Sequence, residues 1–108
     1  VPSRPMTRFF SPWELKILVP LICEALHRLG VPVPTVPAVS AGDMSAMVRV
    51  ITRDSRMCTL QGKIVVECVA EGIFEIEFLK VKGDPLEWRR FFKKVAVLCK
   101  DAIYRPDV

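Results

Sequence analysis

A chain of 108 residues and 12.2 kDa holds a single hydrophobic core, which excludes a multidomain enzyme. Its 51% apolar and 26% charged residues make a folding composition and exclude both disorder and a collagen-like repeat. Sixteen Lys and Arg against twelve Asp and Glu leave a net +4, which favours an anionic partner without choosing among protein, lipid and nucleic acid.

Ser11-Pro12-Trp13-Glu14 has the makings of a helix start, with Ser11 as cap, Pro12 in the first helical position and Glu14 reaching back. A helix over residues 12–29, ending at Gly30, follows from Trp13, Ile17, Leu18, Leu21, Ile22, Ala25, Leu26 and Leu29 recurring at three- and four-residue steps. Pro20 lies inside that pattern and predicts a kink or a late start. Residues 31–43 carry Pro32, Pro34 and Pro37, so they are expected to be extended, as an edge strand or a tethered connection.

Three strand candidates follow, at 46–53, 58–70 and 73–81, divided by Asp54-Ser55-Arg56 and Glu71-Gly72, a pattern of consecutive antiparallel hairpins. In the last, Phe74, Ile76 and Phe78 alternate with Glu75 and Glu77, which predicts one buried and one wet face. The alternation slips after Phe78, where Leu79 and Val81 become the apolar positions, and a bulge or the sheet's end belongs there. The five glycines, at 30, 42, 62, 72 and 83, read as turn residues.

Gly83-Asp84-Pro85 opens a final basic amphipathic helix within 82–104, with Asp84 as cap, Pro85 first and Glu87 third. At about 100° per residue, Trp88, Phe91, Phe92, Val95, Leu98, Cys99, Ala102 and Ile103 share one arc, and Trp88 is expected in the core. Arg89, Lys93 and Lys100 fall on the opposite side, with Arg90 and Lys94 beside them. The order is therefore helix, extended edge, three-strand meander, helix, in one domain spanning 1–108 with an N-terminal arm over 1–10.

Several chemistries lack their residues. Cys23, Cys58, Cys68 and Cys99 include no C-x-x-C pair and His27 is the single histidine, so no metal is expected. Cys23, Cys68 and Cys99 sit among apolar neighbours and read as core thiols in a reducing compartment. There is no G-x-S-x-G and no G-x-x-x-x-G-K-[ST], so neither catalytic residues nor cofactors are expected. The apolar stretch after the basic opening is broken by Glu14, Lys16, Pro20 and Glu24, and the expectation is a soluble intracellular domain.

Two constellations remain. Between Lys80 and Lys100 stand seven basic side chains against Asp84 and Glu87 alone. Most such runs are solvated helix faces, and the functional alternative is a surface for an anionic partner. Nucleic acid is disfavoured because the aromatics of this helix lie on its buried arc and cannot stack on bases. In Met6-Thr7-Arg8-Phe9-Phe10, one phenylalanine would staple the helix entry and the other is left for a core or partner contact.

These two segments resemble the paired motifs of the C-terminal regulatory domains of the checkpoint kinase 1 family, divergent members of the kinase-associated 1 domain family. Met6-Thr7-Arg8-Phe9-Phe10 looks like the first motif and Lys82-Gly83-Asp84-Pro85-Leu86-Glu87-Trp88-Arg89-Arg90-Phe91-Phe92 like the second, with Leu29-Gly30 at the family's distance from the first. Pro5, Pro20 and Pro85 depart from the pattern.

The resemblance implies an α+β fold, a four-stranded antiparallel sheet with two helices packed on one face in the order αββββα, which agrees with the elements read above if 31–37 supplies the edge strand. It further implies a non-catalytic module of a DNA-damage checkpoint serine/threonine kinase, in the nucleus and cytoplasm, which binds the kinase domain of the same polypeptide and autoinhibits it until phosphorylation. Joined to the basic run read from the residues, this makes Arg8, Lys80, Lys82, Arg89, Arg90, Lys93 and Lys94 the expected contact residues, with Phe9 or Phe10 as apolar anchor. Met6, Thr7, Phe9, Phe10, Gly83, Asp84, Leu86, Glu87 and Trp88 would anchor the motifs. Relatives with a basic face bind anionic phospholipids, which supplies the alternative.

Overall fold

The β-rich runs either side of Asp54–Met57 and Glu71–Gly72 close into a meander, as their alternation and turn residues require. The computed structural model describes residues 7–33, 36–40 and 42–104. Its elements are β1 (Arg8–Ser11), α1 (Leu15–Arg28), β2 (Ser45–Arg53), β3 (Thr59–Ala70), β4 (Ile73–Lys82), α2 (Pro85–Leu98) and a single 3-10 turn (Lys100–Ala102). The strands form one antiparallel sheet in the order β1-β4-β3-β2.

The fold class is the expected α+β arrangement of a four-stranded sheet and two helices, but the fourth strand comes from elsewhere. It precedes α1, so the order is βαβββα rather than αββββα. The reason is hydrogen bonding: the prolines within 31–37 lack the N–H groups a ladder needs, and the described residues of that stretch form no strand. Arg8–Ser11 can donate throughout and pairs with Phe74–Glu77.

The same pairing displaces the start of the first helix. Ser11 stands opposite Phe74 in the sheet and its Oγ accepts the Trp13 N–H at 3.1 Å. It caps a turn and not the helix, which begins at Leu15 after an extended Glu14 that makes no side-chain cap. Pro20 is accommodated in the helix interior on the solvent side. The predicted stop holds: Gly30 adopts φ +73°, and the Val31 N–H donates to the Leu26 carbonyl at 2.9 Å, closing the last turn.

One sheet face is buried beneath both helices. Phe9, Val48, Val50, Leu60, Ile64, Val66, Ile76 and Phe78 meet Leu18, Val19, Ile22 and Leu26 of α1 and Trp88, Phe91 and Val95 of α2 in a single core. Gly62 belongs to this face and not to a turn. A Cβ there would meet the Leu79 carbonyl oxygen and the Trp88 ring, so the absence of a side chain lets the indole lie on the sheet. A bulge does follow, but later than the slip after Phe78: Ile64, Lys63 and Gly62 pair in step with Phe78, Leu79 and Lys80, and Gln61 pairs with Lys82, leaving Val81 as the extra residue.

All four cysteines are unpaired thiols, with Cys99 buried, Cys23 and Cys68 half-buried against the core and Cys58 exposed. No helix among the described residues is long and apolar enough to cross a membrane.

Candidate functional site

The final helix starts as its sequence dictates. Asp84 is extended and its Oδ1 accepts the Leu86 N–H at 2.8 Å, with Pro85 in the first turn. That backbone hydrogen bond, aided by Arg56 at 2.9 Å from Oδ2, holds the Asp84 carboxyl below the usual carboxylate range. Glu87 does not reach back to the cap. Its carboxylate is buried, accepting the Ser55 hydroxyl at 2.6 Å and Arg90 at 3.1 Å, and the Ser55 bond is the main cause of its lowered pKa. The first turn of α2 is thereby tied to the turn between β2 and β3.

That turn is itself held from within. Asp54 is buried, and its Oδ1 accepts the N–H groups of Arg56 and Cys58 at 2.9 and 3.0 Å. The expected helical range 82–104 shortens to Pro85–Leu98 and the 3-10 turn, after which the Tyr104 N–H donates to the Phe10 carbonyl at 2.7 Å on the outer edge of β1.

The two sequence motifs meet at one atom. Phe78 faces β1 with its backbone, its N–H donating to the Thr7 carbonyl. Its own carbonyl accepts both the Thr7 hydroxyl at 2.8 Å and the Trp88 indole N–H at 3.2 Å. Phe9 of the first motif and Phe92 of the second lie 6.3 Å apart, and Phe78 packs edge-on against Phe92 at 5.0 Å.

Thr7, Phe9 and Trp88 are buried, so these motif anchors specify the fold and present nothing to a partner. Phe9 is therefore not the apolar docking anchor, and both phenylalanines belong to β1. Gly83 holds φ +124°, a backbone setting that excludes most side chains. Met6 lies outside the described residues.

The outward arc of α2 carries Arg89, Arg90, Lys93 and Lys94, all exposed, with Lys100 exposed just beyond it. Among the described residues, Arg89, Lys93, Lys94, Lys100, Lys80 and Lys82 make no ion pair, while Arg90 is bound to Glu87. Lys80 stands opposite Gly62 on the helix-bearing side of the sheet. Arg8 does not join them. It lies on the other sheet face, bound to Glu75 at 3.1 Å and 5.6 Å from the Phe10 ring, and Lys82, across from Gln61, also falls there. The sheet separates Arg8 and Lys82 from the α2 cations.

Leu86, expected as a motif anchor, is instead 55% exposed on the outward arc, and Val97, which the sequence reading did not single out, is 65% exposed there. The angular periodicity that places Arg89 and Lys93 outward also places these two there, and that signal was available in the sequence.

Elsewhere the surface offers little chemistry. A cavity of about 240 Å³ between the start of α1 and Phe74, and another of about 200 Å³ between Thr52–Ser55 and α2, contain no nucleophile paired with a histidine. No group of three or more His, Cys, Asp or Glu among the described residues could hold a metal ion.

No family model matches the chain. Over 107 residues, 99% of its length, it is 33% identical to the serine/threonine-protein kinase chk1 of Schizosaccharomyces pombe. It is similar to a part of a checkpoint kinase. Serine/threonine-protein kinase CHK1 of Saccharomyces cerevisiae is 26% identical over 94% of the chain, and that of Mycosarcoma maydis 27% over 95%. The matches cover 21%, 21% and 22% of those proteins, so the chain spans about a fifth of the length of the curated relatives it matches.

Proposed function

We propose that this chain is a non-catalytic regulatory portion of a Chk1-type serine/threonine kinase, and that it holds the catalytic domain of the same polypeptide inactive through the outward face of α2 until phosphorylation releases it. The observation that carries this reading is the display of unpaired cations on α2 directly opposite its buried aromatic arc. The similarity to about a fifth of three Chk1 kinases supports it. Electrostatics would steer the two surfaces together and fix their register. A checkpoint kinase so regulated would act in the nucleus and cytoplasm.

The test is capture of the separately expressed catalytic domain by this chain across a salt series. Binding that falls as salt rises supports the reading, because exposed charges are screened within about 10 Å at 0.1 M. No binding at any salt rejects it.

The same cations favour a second reading, adsorption to anionic phospholipid, at roughly 1 kcal/mol for each Lys or Arg near the surface. Sedimentation with vesicles containing or lacking phosphatidylserine separates the two, and no binding at low salt ends this version.

A further inference from the structure

Leu86 and Val97 are large aliphatic side chains left mostly exposed on a face otherwise made of cations. They lie eleven positions apart in α2, so they project within about 20° of each other and about 16 Å apart along the axis. Arg90 and Lys93 straddle the line between them, about 30° to either side, and Arg89 and Lys94 lie further out. Nothing in the fold requires this. Both lie opposite the buried arc of Trp88, Phe91 and Val95, and a β-branched valine is a poor choice for a solvated helix position.

We infer that Leu86 and Val97 are the apolar anchors of the α2 face, and that the surface they meet is a protein one with two apolar sockets about 16 Å apart and carboxylates between them. The inference rests on the reading that α2 docks on the catalytic domain, and it says what that domain must offer. Charge complementarity fixes the acidic centre, since Arg89, Lys93 and Lys94 have no ion-pair partner among the described residues.

The spacing argues against a bilayer as occupant. A helix lying in a membrane interface buries a continuous apolar stripe, whereas here Arg90 and Lys93 crowd both sides of the line joining the aliphatic pair and no apolar residue lies between them. Two separate sockets can take Leu86 and Val97 while leaving Arg89, Lys93 and Lys94, which have no ion-pair partner among the described residues, to carboxylates. The anchors supply residence, and the cations encounter and register.

The experiment measures the affinity of this chain for the catalytic domain at low and high salt, for Leu86→Ser, Val97→Ser and the charge reversal Arg89→Glu with Lys93→Glu. Each serine variant should weaken binding about fivefold or more at both salt concentrations, because apolar contact is not screened. The charge reversal should weaken it chiefly at low salt. An unchanged urea midpoint shows that each variant is folded.

Binding lost on charge reversal but within twofold of wild type in both serine variants overturns the inference and leaves the docking reading standing. No capture of the catalytic domain at any salt rejects the docking reading itself, and the inference with it. Vesicle binding that depends on Leu86 and Val97, without capture of the catalytic domain, overturns the protein socket in favour of a membrane.

Discussion

The meeting of the two motifs at the Phe78 carbonyl makes a quantitative demand on a double-mutant cycle. Thr7→Val removes one donor at nearly constant volume, and because the indole N–H remains, the loss should be one net hydrogen bond, about 1 kcal/mol. Trp88→Phe removes the other donor and part of a ring that is 3% exposed, for about 2–3 kcal/mol in all. With both changed, the carbonyl of a fully buried strand residue loses both side-chain donors, and an unsatisfied buried acceptor costs about 1–3 kcal/mol beyond the lost bonds.

The double variant should therefore be less stable than the sum of the singles by about 1 kcal/mol or more. Urea titration followed by circular dichroism reads this directly, and avoids the fluorescence change that loss of Trp88 would cause. Additivity within about 0.5 kcal/mol would refute the shared carbonyl as the link between β1 and α2.

Gly62→Ala should destabilise by about 1–3 kcal/mol in thermal melts, because one of the contacts its Cβ would make is the backbone carbonyl of Leu79, which cannot swing away. On acidification, the lowered pKa values of Asp84 and Glu87 mean that their stabilisation is intact above about pH 4.5 and is lost as pH falls through the folded values. Ser55→Ala removes the main cause of the Glu87 shift, so the stability gap between it and wild type should narrow as pH falls through the folded Glu87 value, and a gap constant with pH would contradict the assignment. With an aromatic disulfide reagent, exposed Cys58 should react in the folded state, whereas Cys99, whose burial pushes its thiol up to about 11, should react only on unfolding.

What was legible in the sequence follows the range of the forces involved. The meander could be read because alternation and turn residues are local; the bulge was expected directly after Phe78, but Leu79 and Lys80 keep their register and the extra residue is Val81. The start of α2 was legible in Asp84-Pro85, and so was its division into a buried arc and an outward cationic arc. Strand β1 was not: four residues carry almost no periodic signal, and only pairing with Phe74–Glu77 makes Arg8–Ser11 a strand.

Long-range pairing also overrode local capping rules. Ser11 satisfies the cap pattern in sequence but is held by the sheet, and Glu87 satisfies it but is claimed by Ser55 from another turn. Gly62 looks like a turn residue until Trp88 is seen to lie on it. The separation of Arg8 from the α2 cations likewise depends on which face of β1 points outward, and the sequence fixes that only once the pairing with β4 is known.

The most direct test is the basal activity of the full-length kinase polypeptide carrying Arg89→Glu and Lys93→Glu. Both positions are exposed and make no ion pair among the described residues, so the urea midpoint of the domain should not move. A rise in basal phosphorylation of a peptide substrate, with the domain still folded, is the predicted result. Basal activity equal to wild type in that folded variant would contradict inhibition through the face of α2.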